Sequence, residues 1–157
     1  MKLHIAGAII FFFLLSCDTN VSQDQQETPH ADIAIAGTWK LISATIIENG
    51  DTTVTDYTRG KEAIKMLNDT HFSFFQHDLT KGSDSSAVFA AGGGSYTLTG
   101  NRYTEHLEYC SYRPWEDHKF EFEVAIKGDT LIQSGLEKIA ELNVDRLNTE
   151  TYVRIKN

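Results

Sequence analysis

The chain has 157 residues, with 14 Lys and Arg against 22 Asp and Glu, and a formal net charge of −8. This acidic balance argues against a nucleic-acid partner, because no basic stripe is available to neutralise phosphates. The length suits one folded domain with additional segments. An aromatic content of 11% excludes a wholly disordered chain.

Residues 1–16 are predicted to be a lipoprotein signal peptide. Lys2 supplies a positive start, and the apolar run that follows is shorter than the roughly 20 residues needed to span a bilayer. The run ends in Leu14-Leu15-Ser16-Cys17, which resembles the bacterial lipobox. The resemblance implies cleavage before Cys17 and lipidation of Cys17, with two or three acyl chains forming a stable membrane anchor. The alternative is an ordinary secretory signal in which the cysteine occurs by chance.

Residues 17–35 are predicted to comprise the lipidated Cys17 and a flexible tether, because almost nothing large and apolar occurs there. We therefore expect a lipid-anchored protein of the bacterial cell envelope. The expected place is the outer membrane, on either its periplasmic or its surface face. Lipidation of Cys17 would leave Cys110 without an intramolecular disulfide partner.

Residues 36–157 predict one all-β domain, an antiparallel up-and-down barrel of about nine or ten strands. The first long strand begins at Trp39 and is followed by Asn49-Gly50, the strongest hairpin signal in the chain. A strand is predicted over 63–67, with a short helix over 60–67 as the alternative. Further on, 139–142 is either a short strand or one helical turn. Hairpin turns are also predicted at Gly100-Asn101 and Gly128-Asp129.

Gly37-Thr38-Trp39 near the start of the domain and Arg154 near its end resemble the signature of the lipocalin and fatty-acid-binding superfamily. The resemblance implies a closed barrel in which Trp39 plugs one end and Arg154 stacks across it. A narrower resemblance, to small lipocalin-like bacterial lipoproteins, covers roughly 36–156. It rests on three segments: Thr70-His71-Phe72, Gly92 to Gly100 and Tyr103-Thr104-Glu105. The tight Asn49-Gly50 turn departs from the long lid loop of larger lipocalins.

Strand alternation predicts which side chains face the barrel interior. Tyr103, Glu105 and Tyr109 fall on the more apolar face of one strand, so we expect them to point inward. A buried carboxylate needs a partner. The candidates for Glu105 are a tyrosine hydroxyl or one of Arg102, Arg113 and Arg154.

Aromatic side chains are expected to form the rest of the interior. Phe72 and Phe74 are predicted to face the same cavity as Ile64 and Met66, with Arg113 and Trp115 at its mouth. The candidate ligand-binding set is therefore Glu105, Tyr103, Tyr109, Phe72, Phe74, Arg113 and Trp115.

Three classes of function remain open from the sequence. A membrane-anchored module that binds a small apolar or amphipathic ligand is favoured, because apolar pockets with a few polar groups are typical ligand sites. A packed barrel that serves as a surface interaction platform is the second class. An enzyme using Glu105 is the third, and no catalytic residue or cofactor is assigned. The group His106, Glu108, Cys110 and His118 matches no metal-ligand spacing, so it is predicted to be a solvated face.

Overall fold

The computed structural model describes residues 33–156, which form an all-β fold with two single-turn 3-10 helices. The strands are β1 (Gly37–Glu48), β2 (Asp51–Asp56), β3 (Lys61–Leu67), β4 (His71–Asp78), β5 (Phe89–Thr99), β6 (Arg102–Cys110), β7 (His118–Lys127), β8 (Thr130–Ile139) and β9 (Val144–Arg154). The 3-10 turns are Arg113–Trp115 and Ala140–Leu142. Within 33–156 no helix is long and apolar enough to cross a membrane.

Eight of the strands close into an antiparallel barrel, as the sequence predicts. Each strand from β3 to β9 pairs with the next, and β1 pairs with both β3 and β9. The β1–β9 seam runs from Trp39 opposite Arg154 to Glu48 opposite Arg146. In the described residues β2 pairs only with β1, outside this ring. Closure satisfies the backbone hydrogen bonds that an open sheet would leave at its edges.

The predicted hairpin turns are present and confirm the order of the elements. Asn49 and Gly50 both have positive φ, at 52° and 86°, which is the backbone of a type I′ turn and explains the Asn-Gly pair. The strand predicted over 63–67 lies within β3, so the helical alternative is wrong. At 139–142 the chain combines both predicted states, because β8 ends at Ile139 and a 3-10 turn follows.

A β-bulge on β6 changes which side chains point into the barrel. The pairing of β5 with β6 shifts between Gly93, opposite Tyr109, and Gly94, opposite Leu107, so that Glu108 is the extra residue. A Cβ on Gly94 would stand 1.9 Å from the His106 carbonyl oxygen, and only glycine allows this close approach. Beyond the bulge, the alternation of β6 is reversed.

The register of β3 places Lys65 in the interior, which corrects the predicted inward position of Ile64 and Met66. Leu67 pairs with Phe72 and Lys65 with Phe74, so these residues share one face. Met66 is 38% exposed. The prediction chose the more hydrophobic face of β3, whereas the structure buries a lysine because the opposite wall of the barrel carries its counter-ion.

Candidate functional site

One end of the barrel is closed by the expected tryptophan–arginine pair. Trp39 is 0% exposed, and its indole Nε1 donates a hydrogen bond to the Ile35 carbonyl at 2.8 Å. The Arg154 guanidinium lies 4.0 Å from the centre of the Trp39 ring and donates to the Ala36 carbonyl at 2.7 Å. A Cβ on Gly37 would stand 2.5 Å from Arg154 Nη1. Gly37, Trp39 and Arg154 therefore form one packed unit.

An ion pair crosses the middle of the barrel. Lys65 is 3% exposed and Glu105 is 7% exposed. The Lys65 ammonium donates to the Glu105 carboxylate and, at 2.8 Å, to Oε1 of Gln133. The inward position predicted for Glu105 is confirmed. The ion-pair partner is Lys65, rather than Arg102, Arg113 or Arg154.

A second ion pair lies further from Trp39. Arg146 Nε donates to Glu137 Oε2 at 2.6 Å, and Asn148 Nδ2 donates to Glu137 Oε1 at 2.8 Å. Burial raises the pKa of Glu137, while Arg146 and the Asn148 hydrogen bond act in the opposite direction. The Arg146 guanidinium also lies 5.1 Å from the centre of the Trp115 ring. This arrangement places a cation and an indole together at the mouth, the barrel end opposite Trp39.

Glu150 lies between these two ion pairs. Its Oε2 accepts hydrogen bonds from the Tyr152 hydroxyl at 2.6 Å and from the Gln133 amide at 3.4 Å. Burial and the Glu150 carboxylate raise the pKa of Tyr152, so the phenol keeps its proton and acts as a donor. Glu150 is thus held by neutral donors.

A partly open cavity of about 170 Å³ lies within the barrel. Its polar lining comes from Lys65, Glu105, Gln133, Glu137 and Glu150, together with Tyr57, Gln76 and Tyr152. Its apolar lining includes Phe74, Trp115, Phe120 and Phe122. The cavity therefore joins an aromatic wall to a charged floor, which is the composition that orients an amphipathic molecule.

The structure places only part of the predicted ligand-binding set in this cavity. Glu105, Phe74 and Trp115 line it. Phe72 and Tyr103 point inward as expected but belong to the packed core on the Trp39 side, where each ring centre lies 5.3 Å from the Lys65 ammonium. These two aromatic rings support the ion pair without lining the cavity.

Two members of the predicted set lie outside the barrel. Tyr109 is 69% exposed, because the bulge at Glu108 turns it outward and brings Cys110 to the cavity wall instead. Arg113 belongs to the 3-10 turn after β6, where its exposed guanidinium pairs with Glu116 at 2.8 Å. The inward prediction for Tyr109 and the mouth prediction for Arg113 are therefore wrong.

Seven polar cavity residues were missed from the sequence: Tyr57, Lys65, Gln76, Gln133, Glu137, Glu150 and Tyr152. The sequence carries a signal for three of them. Gln133 and Glu137 lie on the same face of β8 as Leu131 and Ile139, and all four side chains are buried. Leu67 pairs with Phe72 across the turn, which puts Leu67 on the inner face of β3. Alternation along the strand then puts Lys65 on the same face. What no local pattern reveals is that the charges on opposite walls meet.

The outer face of the barrel carries a separate groove. Gly92, Gly93 and Gly94 contribute to its floor, and Phe75 and Tyr109 are exposed along it. The solvated group predicted at His106 and Glu108 lies nearby on the outside, where His106 Nδ1 is 3.6 Å from the Glu108 carboxylate. In the part of the chain that the structure describes, no three His, Cys, Asp or Glu side chains are grouped to hold a metal ion.

No family model, curated protein or solved structure matches this chain. The fold and the cavity define the class of this protein. It is a closed, eight-stranded antiparallel β-barrel with one additional strand and an ion-paired interior. This architecture is compatible with the lipocalin-like fold that the sequence resembles.

Proposed function

We propose that this protein binds a small amphipathic molecule inside the barrel. The observation that carries the proposal is the cavity itself, in which an aromatic wall faces Lys65, Glu105 and Glu150. A barrel that served only as a rigid scaffold would gain stability by filling this space, since empty volume in a core is destabilising. The charged floor would also be costly there unless its position served a ligand.

The size of the cavity limits the ligand. Drug-sized ligands occupy pockets of about 300–1,000 Å³, whereas this cavity measures about 170 Å³. An engineered apolar cavity of about 150 Å³ in another protein accommodates benzene. We therefore infer a ligand of about one ring and a short polar arm, rather than a long acyl chain.

The ligand proposal predicts a co-purifying molecule. Native mass spectrometry of the protein from its own host is expected to show a bound small molecule. Ala63→Leu is expected to remove it, because Ala63 lines the cavity and leucine would fill part of it. The matched control is Ala125→Leu on the exposed side of β7, which should retain the molecule. Absence of any bound mass in the unaltered protein would contradict the proposal.

Anchoring to the membrane is the second part of the proposed function. It is supported by Leu14-Leu15-Ser16-Cys17, which has the spacing of a lipobox. The signal peptide, Cys17 and most of the predicted tether lie outside the described residues. A lipid anchor at Cys17 would hold the barrel at a membrane of the bacterial cell envelope.

Lipidation predicts a specific loss of labelling. Cells supplied with labelled palmitate are expected to label the unaltered protein, and Cys17→Ser should abolish the label and leave the precursor uncut. Cys110→Ser is the matched control, because Cys110 is the other cysteine in the chain. Labelling that persists in Cys17→Ser would show that the cysteine is not the acceptor.

An interaction platform is the alternative function, and the outer groove favours it. Exposed aromatic side chains such as Phe75 and Tyr109 are typical of binding surfaces. This function requires no ligand in the barrel. Native mass spectra without a bound molecule would therefore favour the platform.

A further inference from the structure

The interior of the cavity carries one more negative charge than positive charge. Three carboxylates, Glu105, Glu137 and Glu150, line it. Glu105 is paired with Lys65 and Glu137 with Arg146. Among the described residues, no Lys, Arg or His forms an ion pair with Glu150; its hydrogen bonds come from the neutral Tyr152 and Gln133. A positively charged ligand would supply the cationic partner that Glu150 lacks.

The two interior cations offer little to an anionic ligand. Lys65 already donates to Glu105 and Gln133, and the rings of Phe72 and Tyr103 surround its ammonium group. Arg146 is committed to Glu137 and packs over an indole ring. An anion entering the cavity would compete with Glu105 and Glu137 for these cations. It would also lie close to the Glu150 carboxylate. Its binding would therefore be opposed by charge.

A buried amide lies in the barrel wall beside the second ion pair. Asn148 lies two residues before Glu150 on β9 and is 6% exposed. Its Nδ2 is committed to the Glu137 carboxylate, which can only accept, and this fixes the orientation of the amide. Its Oδ1 is buried and has no hydrogen-bond partner among the described residues. A buried acceptor without a partner is costly, but Asn148 is not among the residues that line the cavity, so Glu150 is the acceptor that the cavity offers to a cation.

The aromatic wall suits the same ligand. Phe74, Trp115, Phe120 and Phe122 present ring surfaces to the cavity. Ring surfaces accept a flat apolar body, and their negative faces also attract a cation. The volume of about 170 Å³ admits about one ring with a short arm.

We propose that the ligand is a small aromatic or cyclic amine that is cationic at neutral pH, with its ammonium group paired to Glu150. This inference rests on the proposed function, since it names the chemical class that the cavity takes. The ring would pack against the aromatic wall, and the ammonium group would donate to the Glu150 carboxylate.

Three probes of the same shape separate the charge preference from simple burial. They are 2-phenylethylamine, 2-phenylethanol and phenylacetate, which are cationic, neutral and anionic at neutral pH. Isothermal titration of the mature protein in detergent is expected to show at least tenfold tighter binding of the amine than of the alcohol. Phenylacetate should bind most weakly. Ala63→Leu should abolish binding, which places the probes in the cavity.

Variants at Glu150 test the assigned contact. Glu150→Gln keeps an acceptor for Tyr152 and should remove the preference for the amine over the alcohol. Glu150→Asp keeps the charge and should retain most of the preference. Glu123→Gln is the control, because Glu123 lies on the exposed face of β7. Thermal melts of each variant show whether the barrel remains folded.

The outcomes distinguish this inference from the function on which it rests. Equal or tighter binding of the alcohol or phenylacetate would overturn the amine assignment and leave cavity binding intact. A preference for the amine that survives in Glu150→Gln would also overturn it. If none of the probes binds while a molecule still co-purifies, the inference alone fails. If no molecule co-purifies either, both fail.

Discussion

Replacing Trp39 with alanine is expected to lower the free energy of unfolding by about 3–5 kcal/mol, the usual range for removing a buried Trp side chain. Trp39 is completely buried, donates to the Ile35 carbonyl and packs against the Arg154 guanidinium. Truncation would leave that guanidinium without its aromatic partner and open the closed end of the barrel. A loss of this size is a large part of the total stability of a small domain.

Urea denaturation followed by circular dichroism measures this loss. Trp115→Ala is the matched control, because Trp115 is half-buried and lies at the mouth. It should cost clearly less than Trp39→Ala. Arg154→Lys should have an intermediate effect, since lysine keeps the charge but not the planar stacking of the guanidinium. Equal losses of unfolding free energy for Trp39→Ala and Trp115→Ala would contradict the larger contribution predicted for Trp39.

Breaking the buried Lys65–Glu105 pair is expected to produce the second large effect. Either Lys65→Met or Glu105→Leu should lower the free energy of unfolding by about 3–5 kcal/mol, because each leaves an unpaired charge in the interior. Both side chains are buried, so water does not compensate the loss. The double variant should recover most of this stability, since replacing a whole buried pair by apolar residues is often neutral or stabilising by about 1–4 kcal/mol.

The exposed pair Lys138–Asp145 provides the control for this cycle. Its atoms are 2.6 Å apart, but both side chains are mostly exposed, so Lys138→Met should change the stability by about 0–1 kcal/mol. Additive losses at Lys65 and Glu105 in the double variant would contradict a direct interaction between them. A stable double variant that no longer binds a ligand would show that the pair is retained for function.

Strong local signals allowed much of the barrel to be predicted. The Asn49-Gly50 pair predicted its hairpin because both residues must adopt positive φ, which most other residues avoid. Glu105 is placed inside correctly because it falls on the more apolar face of its strand. This argument needs only the period of two along a strand, and it holds as far as Leu107.

The same argument failed at Tyr109 for a physical reason. Alternation assumes an unbroken ladder, and the extra residue Glu108 breaks it. The glycines on β5 allow β6 to approach closely, but the strand opposite decides where the extra residue is accommodated. A bulge is a property of two paired strands, so one strand read alone cannot locate it.

By itself, the sequence determined the all-β class and the hairpin turns, and the resemblance carried by Gly37, Trp39 and Arg154 implied the packed unit at the closed end. Each depends on local backbone preferences or on a spaced motif. Only the tertiary structure decided the composition of the cavity. Lys65 lies 40 residues from Glu105 and 68 from Gln133 in the chain. A lysine becomes acceptable in a barrel interior only when closure brings its counter-ion within hydrogen-bonding distance, because the cost of burying the charge is offset by that contact.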